Sequence, residues 1–162
     1  MAKEIERKFL VSGDGWKTDV SSSMTFRQGY VVSTENRSVR VRIVNDEDAT
    51  LTIKIGASSL VRDEYEYSIA LGDAQEMIGT AIGNVIQKTR HLVEHNNFTW
   101  EVDVFEGVYG GLVVAEVELT SVDDSPDLPT WLGREVTGDK RYSNQYLATE
   151  NLLGELPDVV SS

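Results

Sequence analysis

Charged residues of one sign recur two positions apart in this chain, run after run, with apolar residues between them. Glu4, Glu6 and Lys8 open the series at alternate positions. Arg40 and Arg42 interleave with Val39, Val41 and Ile43, and Thr52 and Lys54 with Leu51, Ile53 and Ile55. Glu64 and Glu66 oppose Tyr65 and Tyr67; Lys88 and Arg90 share one parity; Glu101 and Asp103 oppose Trp100, Val102 and Val104; Glu116 and Glu118 oppose Ala115, Val117 and Leu119. Successive side chains of a strand point to opposite faces, so a period of two predicts strands with one charged and one apolar face. Glu4 and Lys8 alone would equally suit an i,i+4 pair on a helix. The repetition argues for a sheet.

Eight such runs are predicted, at 4–11, 25–32, 38–44, 50–55, 63–69, 85–94, 98–105 and 112–120. Turn residues separate several of them: Asn45-Asp46-Glu47-Asp48, Gly56-Ala57-Ser58-Ser59, His95-Asn96-Asn97, and Gly107 with Gly110-Gly111. Short connections favour antiparallel neighbours. Helical spacing of Ala74, Met77, Ile78 and Ala81 predicts a helix over 72–82, and a second, short helix is expected over 142–148, introduced by Ser143 or Asn144. With 162 residues the chain suits a single domain, placed at 1–155, with a frayed tail at 156–162.

A sheet with one wet face would also alternate. Like charges at i and i+2, however, repel unless opposite charge lies between them. Eight antiparallel strands suffice to close a barrel, which would gather every charged face into one lumen. The expected fold is therefore mainly β, a closed eight-stranded antiparallel barrel with a few flanking helices. A lumen of acids and bases is costly to dry out, and a charged ligand offsets that cost.

The residue types narrow the ligand. Arginine's planar fork matches phosphate oxygens and lysine supplies a compact point charge. Lys8, Arg40, Arg42, Lys54, Lys88 and Arg90 together suit several linked phosphates. The carboxylates suit Mg2+ or Mn2+, which bridge acid and phosphate and can make a bound water nucleophilic. A net charge of −12 argues against a nucleic-acid partner, and the absence of cysteine excludes thiolate chemistry. The chain shows neither an apolar leader nor a membrane-length apolar run, so a cytoplasmic protein without a membrane partner is expected.

The ordered set of motifs resembles the CYTH superfamily, the triphosphate tunnel metalloenzymes. The resemblance rests on Glu4-x-Glu6-x-Lys8, Val39-Arg40-Val41-Arg42, Thr52-Ile53-Lys54, Glu64-Tyr65-Glu66, Lys88-Thr89-Arg90, Glu101-Val102-Asp103, Glu116-Val117-Glu118 and Gly138-Asp139-Lys140-Arg141-Tyr142. It covers residues 1 to about 150 and implies an eight-stranded barrel with a charged tunnel and a divalent metal. It implies phosphate contacts from Lys8, Arg40, Arg42, Lys54, Lys88, Arg90 and Lys140, and metal ligation by Glu4, Glu6, Glu116 and Glu118. Glu64, Glu66 and Asp103 match acidic tunnel positions whose roles vary. Lys54 and Lys88 are the candidates for protonating the leaving phosphate, Lys88 ahead.

The implied activity is hydrolysis of inorganic tripolyphosphate to pyrophosphate and phosphate, by a monomer or homodimer. Class IV-type adenylate cyclisation, thiamine or nucleoside triphosphate hydrolysis, and a non-catalytic polyphosphate-binding role are the alternatives. Trp16, Phe26, Tyr30 and Trp131 could form an aromatic pocket for adenine or thiamine but are read as packing between barrel and tail, His91 and His95 are read as surface or hairpin residues, and Ser21-Ser22-Ser23 as a loop.

Overall fold

The computed structural model describes residues 5–56, 62–121 and 123–150. Its frame is one antiparallel sheet of nine strands: β1 (Ile5–Val11), β2 (Val20–Ser33), β3 (Arg37–Val44), β4 (Asp48–Ile55), β5 (Asp63–Ile69), β6 (Ile82–His95), β7 (Phe98–Glu106), β8 (Val113–Leu119) and β9 (Leu132–Glu135). The hydrogen-bonded order is β5-β4-β3-β2-β6-β7-β8-β1-β9. Helix α1 (Leu71–Ile78) follows β5, and α2 (Asn144–Thr149) follows β9.

Local chemistry accounts for the register. Asn96 and Asn97, both at positive φ, close the two-residue hairpin between β6 and β7, where His95 pairs Phe98. Asn45 and Asp46, also left-handed, turn β3 into β4. Ser143 caps α2 by accepting the Tyr146 N–H at 3.1 Å.

The antiparallel, charge-lined sheet agrees with the expectation; its edges do not. A ninth strand, β9, pairs with β1 through Phe9↔Glu135 and Val11↔Leu132. Among the described residues no hydrogen-bonded ladder joins β5 to β9, so the sheet is open in its bonding rather than closed. Four residues with Gly133 among them carry too little period to be seen in sequence, and β9 takes the edge of β1 that closure would need. Strand β2 also starts earlier than expected. Ser21, Ser22 and Ser23 are not a loop but part of that strand, with Ser22 opposite Leu92 and Ser23 opposite His91.

Apolar parity forms two outer cores. Phe9, Trp16, Val93, Trp100, Val102, Ala115, Val117 and Trp131 pack on the side of β1, β6, β7 and β8. Val41, Ile43 and Ala49 meet Ala74 and Ile78 of α1. A third core lies on the inner face itself. There Leu10, Tyr30, Ile86, Phe105 and Val114 share parity with the charged residues, and Tyr142, Leu147 and Ala148 cover them. The inner face is thus charged over most of its length and apolar at the end that α2 caps.

Candidate functional site

Register places the charged residues side by side. On β1 and β8, Glu6 lies opposite Glu118 and Lys8 opposite Glu116. Glu116 faces Glu101 of β7, and Asp103 faces Arg90 of β6. Arg42 of β3 faces Gln28 of β2, Arg40 faces Thr52 of β4, and Lys54 faces Glu64 of β5.

Asp103 is the hub. Its carboxylate accepts from Lys88 Nζ at 2.7 Å and from Arg90 Nε and Nη2 at 2.8 and 3.0 Å, with Asp103 only 3 % exposed. In spite of burial, these two cations hold the Asp103 carboxyl far below the ordinary range. One carboxylate cannot fully serve both. Burial, with Arg90 and Arg42 nearby, pulls the Lys88 ammonium down to about 8 against the attraction of Asp103. Burial also lowers Arg42, with Arg40 and Arg90 adding to it. Arg90 goes the other way: although it is buried, Asp103 and Glu101, the latter at 2.8 Å, hold its proton more tightly than usual.

The three cations share Phe26. Arg42, Arg90 and Lys88 lie 4.4, 4.8 and 5.7 Å from its ring centroid. The negative face of the ring attracts cations, which eases their mutual repulsion. Phe26 is therefore not packing between the sheet and the tail, as expected from sequence, but part of the inner face. Trp16 and Trp131 do pack on the outer face, and Tyr30 packs at the apolar end.

A second cluster is acidic. Lys8 Nζ bonds Glu116 Oε1 at 3.1 Å and the Tyr142 carbonyl at 3.1 Å. Although buried, Glu116 is held below its usual value by Lys8. Burial raises the Glu101 carboxyl against the pull of Arg90, and Glu116, Asp103 and Glu118 push the same way as burial. A cleft of about 380 Å3 opens beside Glu101 and Glu118. Among the described residues no three acidic or histidine side chains converge on one point. In donor chemistry Glu6, Glu116 and Glu118 nonetheless fit a hard divalent cation, being carboxylates massed where Glu101 already resists ionising. Glu4 lies outside the described residues.

The remaining expected site residues are more peripheral. Lys54 Nζ and Glu64 are 3.8 Å apart, and Glu66, opposite Thr52, is exposed near the β5 edge. Lys140 stands exposed on the 3-10 turn Lys140–Tyr142 that precedes α2. His91 lies on the outer face, as parity required, with its ring 4.9 Å from Trp16 and its Nδ1 2.7 Å from Ser23 Oγ. A larger cleft of about 620 Å3 adjoins that pair, away from the charged face.

Three participants were not singled out for the site from sequence. From sequence Phe26 reads as packing, with an aromatic pocket for adenine or thiamine as the alternative, and not as a partner of the cations. Gln28 accepts from Arg42 Nε at 2.6 Å, and Asn144 of α2 accepts from Lys88 Nζ at 3.0 Å. Parity with Lys88 across β2 and β6 could have revealed Phe26 and Gln28. Asn144 carries no such signal, because only the packing of α2 brings it there.

Comparison with known proteins agrees with this architecture. An inorganic triphosphatase of Acetivibrio thermocellus is 45% identical over 148 residues, spanning 91% of this chain and 94% of that protein. An inorganic triphosphatase of Nitrosomonas europaea is 35% identical over 149 residues, spanning 90% and 96%. The crystal structure of the inorganic triphosphatase NE1496 superposes with a TM-score of 0.69 at 34% identity, covering 92% of this chain and 96% of that one. A protein of Pyrococcus horikoshii, at 20% identity and a TM-score of 0.58, shares the fold. A CYTH domain model matches residues 2–150, and with it the chain is placed: it belongs to the CYTH domain family.

Proposed function

We propose that this protein is a divalent-metal-dependent triphosphatase that hydrolyses inorganic tripolyphosphate to pyrophosphate and phosphate. The observation that carries the reading is the buried crowding of Lys88, Arg90 and Arg42 near one carboxylate, Asp103, which gives that part of the inner face more cations than carboxylates. A chain of phosphates supplies that charge. The inorganic triphosphatase relatives support the same chemistry.

In this reading Arg40, Arg42 and Arg90 grip phosphate oxygens, with Lys8, Lys54 and Lys140 adding charge toward the ends of the face. Their grip holds the chain of phosphates in line for attack, so positioning and charge neutralisation do most of the work. Water attacks a terminal phosphorus, the bond from that phosphorus to the bridging oxygen breaks, and pyrophosphate leaves. Lys88 Nζ, whose proton burial has loosened, donates it to the departing oxygen. Asp103 orients Lys88 and Arg90, and Glu64 and Glu66 orient the cations at the far edge. Glu4, Glu6, Glu116 and Glu118 would hold Mg2+ or Mn2+, which when bound supplies charge neutralisation and a more acidic water.

The test is turnover. Tripolyphosphate, ATP and thiamine triphosphate are offered with Mg2+, with Mn2+ and with EDTA, and free phosphate and cyclic AMP are measured. Phosphate release that is fastest from tripolyphosphate and lost in EDTA is expected. Cyclic AMP as the product from ATP, or hydrolysis that persists in EDTA, would refute the reading.

A further inference from the structure

Gln28 is wholly buried on the inner face of β2. Its Oε1 is committed to Arg42 Nε at 2.6 Å, which fixes the amide with its Nε2 as a donor. Among the described residues, that Nε2 has no acceptor, and neither has the buried Nε of Arg40 on the neighbouring strand. A third such atom, Trp100 Nε1, belongs to the outer core. The cross-strand partners of Gln28 are Arg42 and Ile86, a cation and an alkyl chain, so the register supplies no acceptor from either side. An amide donor left unmet in a buried place is costly, and such a group calls for a partner. Two orphan N–H groups on adjacent strands, both in the cationic half of the face, call for one that is anionic and carries several oxygens.

We infer that Gln28 is a further substrate-contacting residue. Its Nε2–H donates to a phosphate oxygen while its Oε1 keeps the Arg42 guanidinium directed along the inner face. The inference rests on the triphosphate reading above and adds to it a neutral donor that reads the ligand's oxygens without adding charge. A neutral amide has an advantage here, because burial and neighbouring cations already disfavour the charge on Arg42 and Lys88.

The experiment follows the side-chain amide itself. In 15N-labelled protein the Gln28 Nε2 resonances are assigned by their loss in Gln28→Met. Tripolyphosphate is then titrated in EDTA, with chloride at matched ionic strength as control, and its affinity is measured by calorimetry. A downfield shift of one Gln28 amide proton with tripolyphosphate and not with chloride is expected, together with roughly tenfold or greater weakening of binding in Gln28→Met, the size of a lost hydrogen bond to a charged group. Gln28→Glu, which keeps an acceptor for Arg42 but removes the donor, should bind no better than Gln28→Met. It also stands in for Gln28→Met should that variant fail to fold. A parent protein that binds tripolyphosphate while the Gln28 amide stays still and the variants bind as tightly would overturn the inference alone. A parent that binds no tripolyphosphate would overturn the functional reading, and the inference with it.

Discussion

Replacing Asp103 by Asn keeps the shape of the hub and removes its charge. Asp103 is 3 % exposed and accepts three hydrogen bonds from two cations. Breaking a buried ion pair by neutralising one partner costs about 3–5 kcal/mol, because the other charge is left unpaid in a dry place. Two features of the site pull the estimate toward the lower end. Arg90 keeps Glu101 at 2.8 Å, and Lys88 keeps Asn144 at 3.0 Å. Lys88 can also shed its proton: with its value already near 8, doing so at pH 7 costs about 1.4 kcal/mol per unit of separation. A loss of about 3 kcal/mol, in a chain of this size, lowers the melting temperature by roughly 6–12 °C. The same crowding of cations makes a second prediction inseparable from the first. Tripolyphosphate added in EDTA should raise the melting temperature of Asp103→Asn more than that of the parent, since the anion supplies the charge the variant lacks. Differential scanning fluorimetry, with and without the anion, reads both effects. A variant that melts within about 2 °C of the parent would refute the claim that Asp103 holds the cations together. Equal stabilisation of both proteins by the anion would refute the claim that phosphate takes its place.

The Lys88 value near 8 sets a pH dependence with opposite signs for activity and stability. The protonated form is the one that binds phosphate and donates, so kcat/KM should fall as pH rises through about 8; a profile flat to pH 9.5 would remove Lys88 from the chemistry. Because the folded value lies below the ordinary 10.5, the unfolded chain binds more protons between the two, and urea midpoints of the anion-free protein should gain from Lys88 over that window rather than lose. Gly83 sits at φ +67°, and a Cβ there would run into the Ala148 carbonyl of α2. Gly83→Ala should cost at least about 1–3 kcal/mol from the backbone angle alone, seen as a lower melting temperature, and an unchanged melt would show that neither the backbone angle nor the approach of α2 constrains this position.

The period-two charge pattern carried most of the fold, since parity alone assigns each residue of a strand to a face. Arg40, Arg42, Lys88, Arg90, Asp103 and Glu116 all fall on the inner face that parity assigned. What parity does not encode is where a strand begins or which edge it leaves open. Ser21–Ser23 read as a loop by composition, yet the ladder to β6 holds them extended, and Ser23 finds a partner in His91. β9 is four residues long, and its pairing with β1 is a long-range contact no local pattern announces.

The site was less legible than the fold, for a related reason. Parity gives the face but not the depth along it. Leu10 shares a face with Lys8, Ile86 with Lys88, Phe105 with Asp103 and Val114 with Glu116. In sequence these apolar residues look like lapses in a charged pattern. In the fold they are the floor of the charged face, sealed by Tyr142, Leu147 and Ala148. The floor explains why the charges nearest it behave as they do. Lys88 lies opposite Phe105 with its ammonium 5.4 Å from that ring, and Lys8 donates a hydrogen bond to the Tyr142 carbonyl, just before α2 begins. Water is scarce there and electrostatic interactions are strong, with opposite results for the two lysines: burial and neighbouring cations loosen the Lys88 proton, whereas Lys8, although buried, is held above its ordinary value by Glu116. An alternating strand with charges at one end and alkyl groups at the other is what a one-ended charged cavity requires, and the helix that closes it supplies Lys88 with a polar partner from outside the sheet, Asn144.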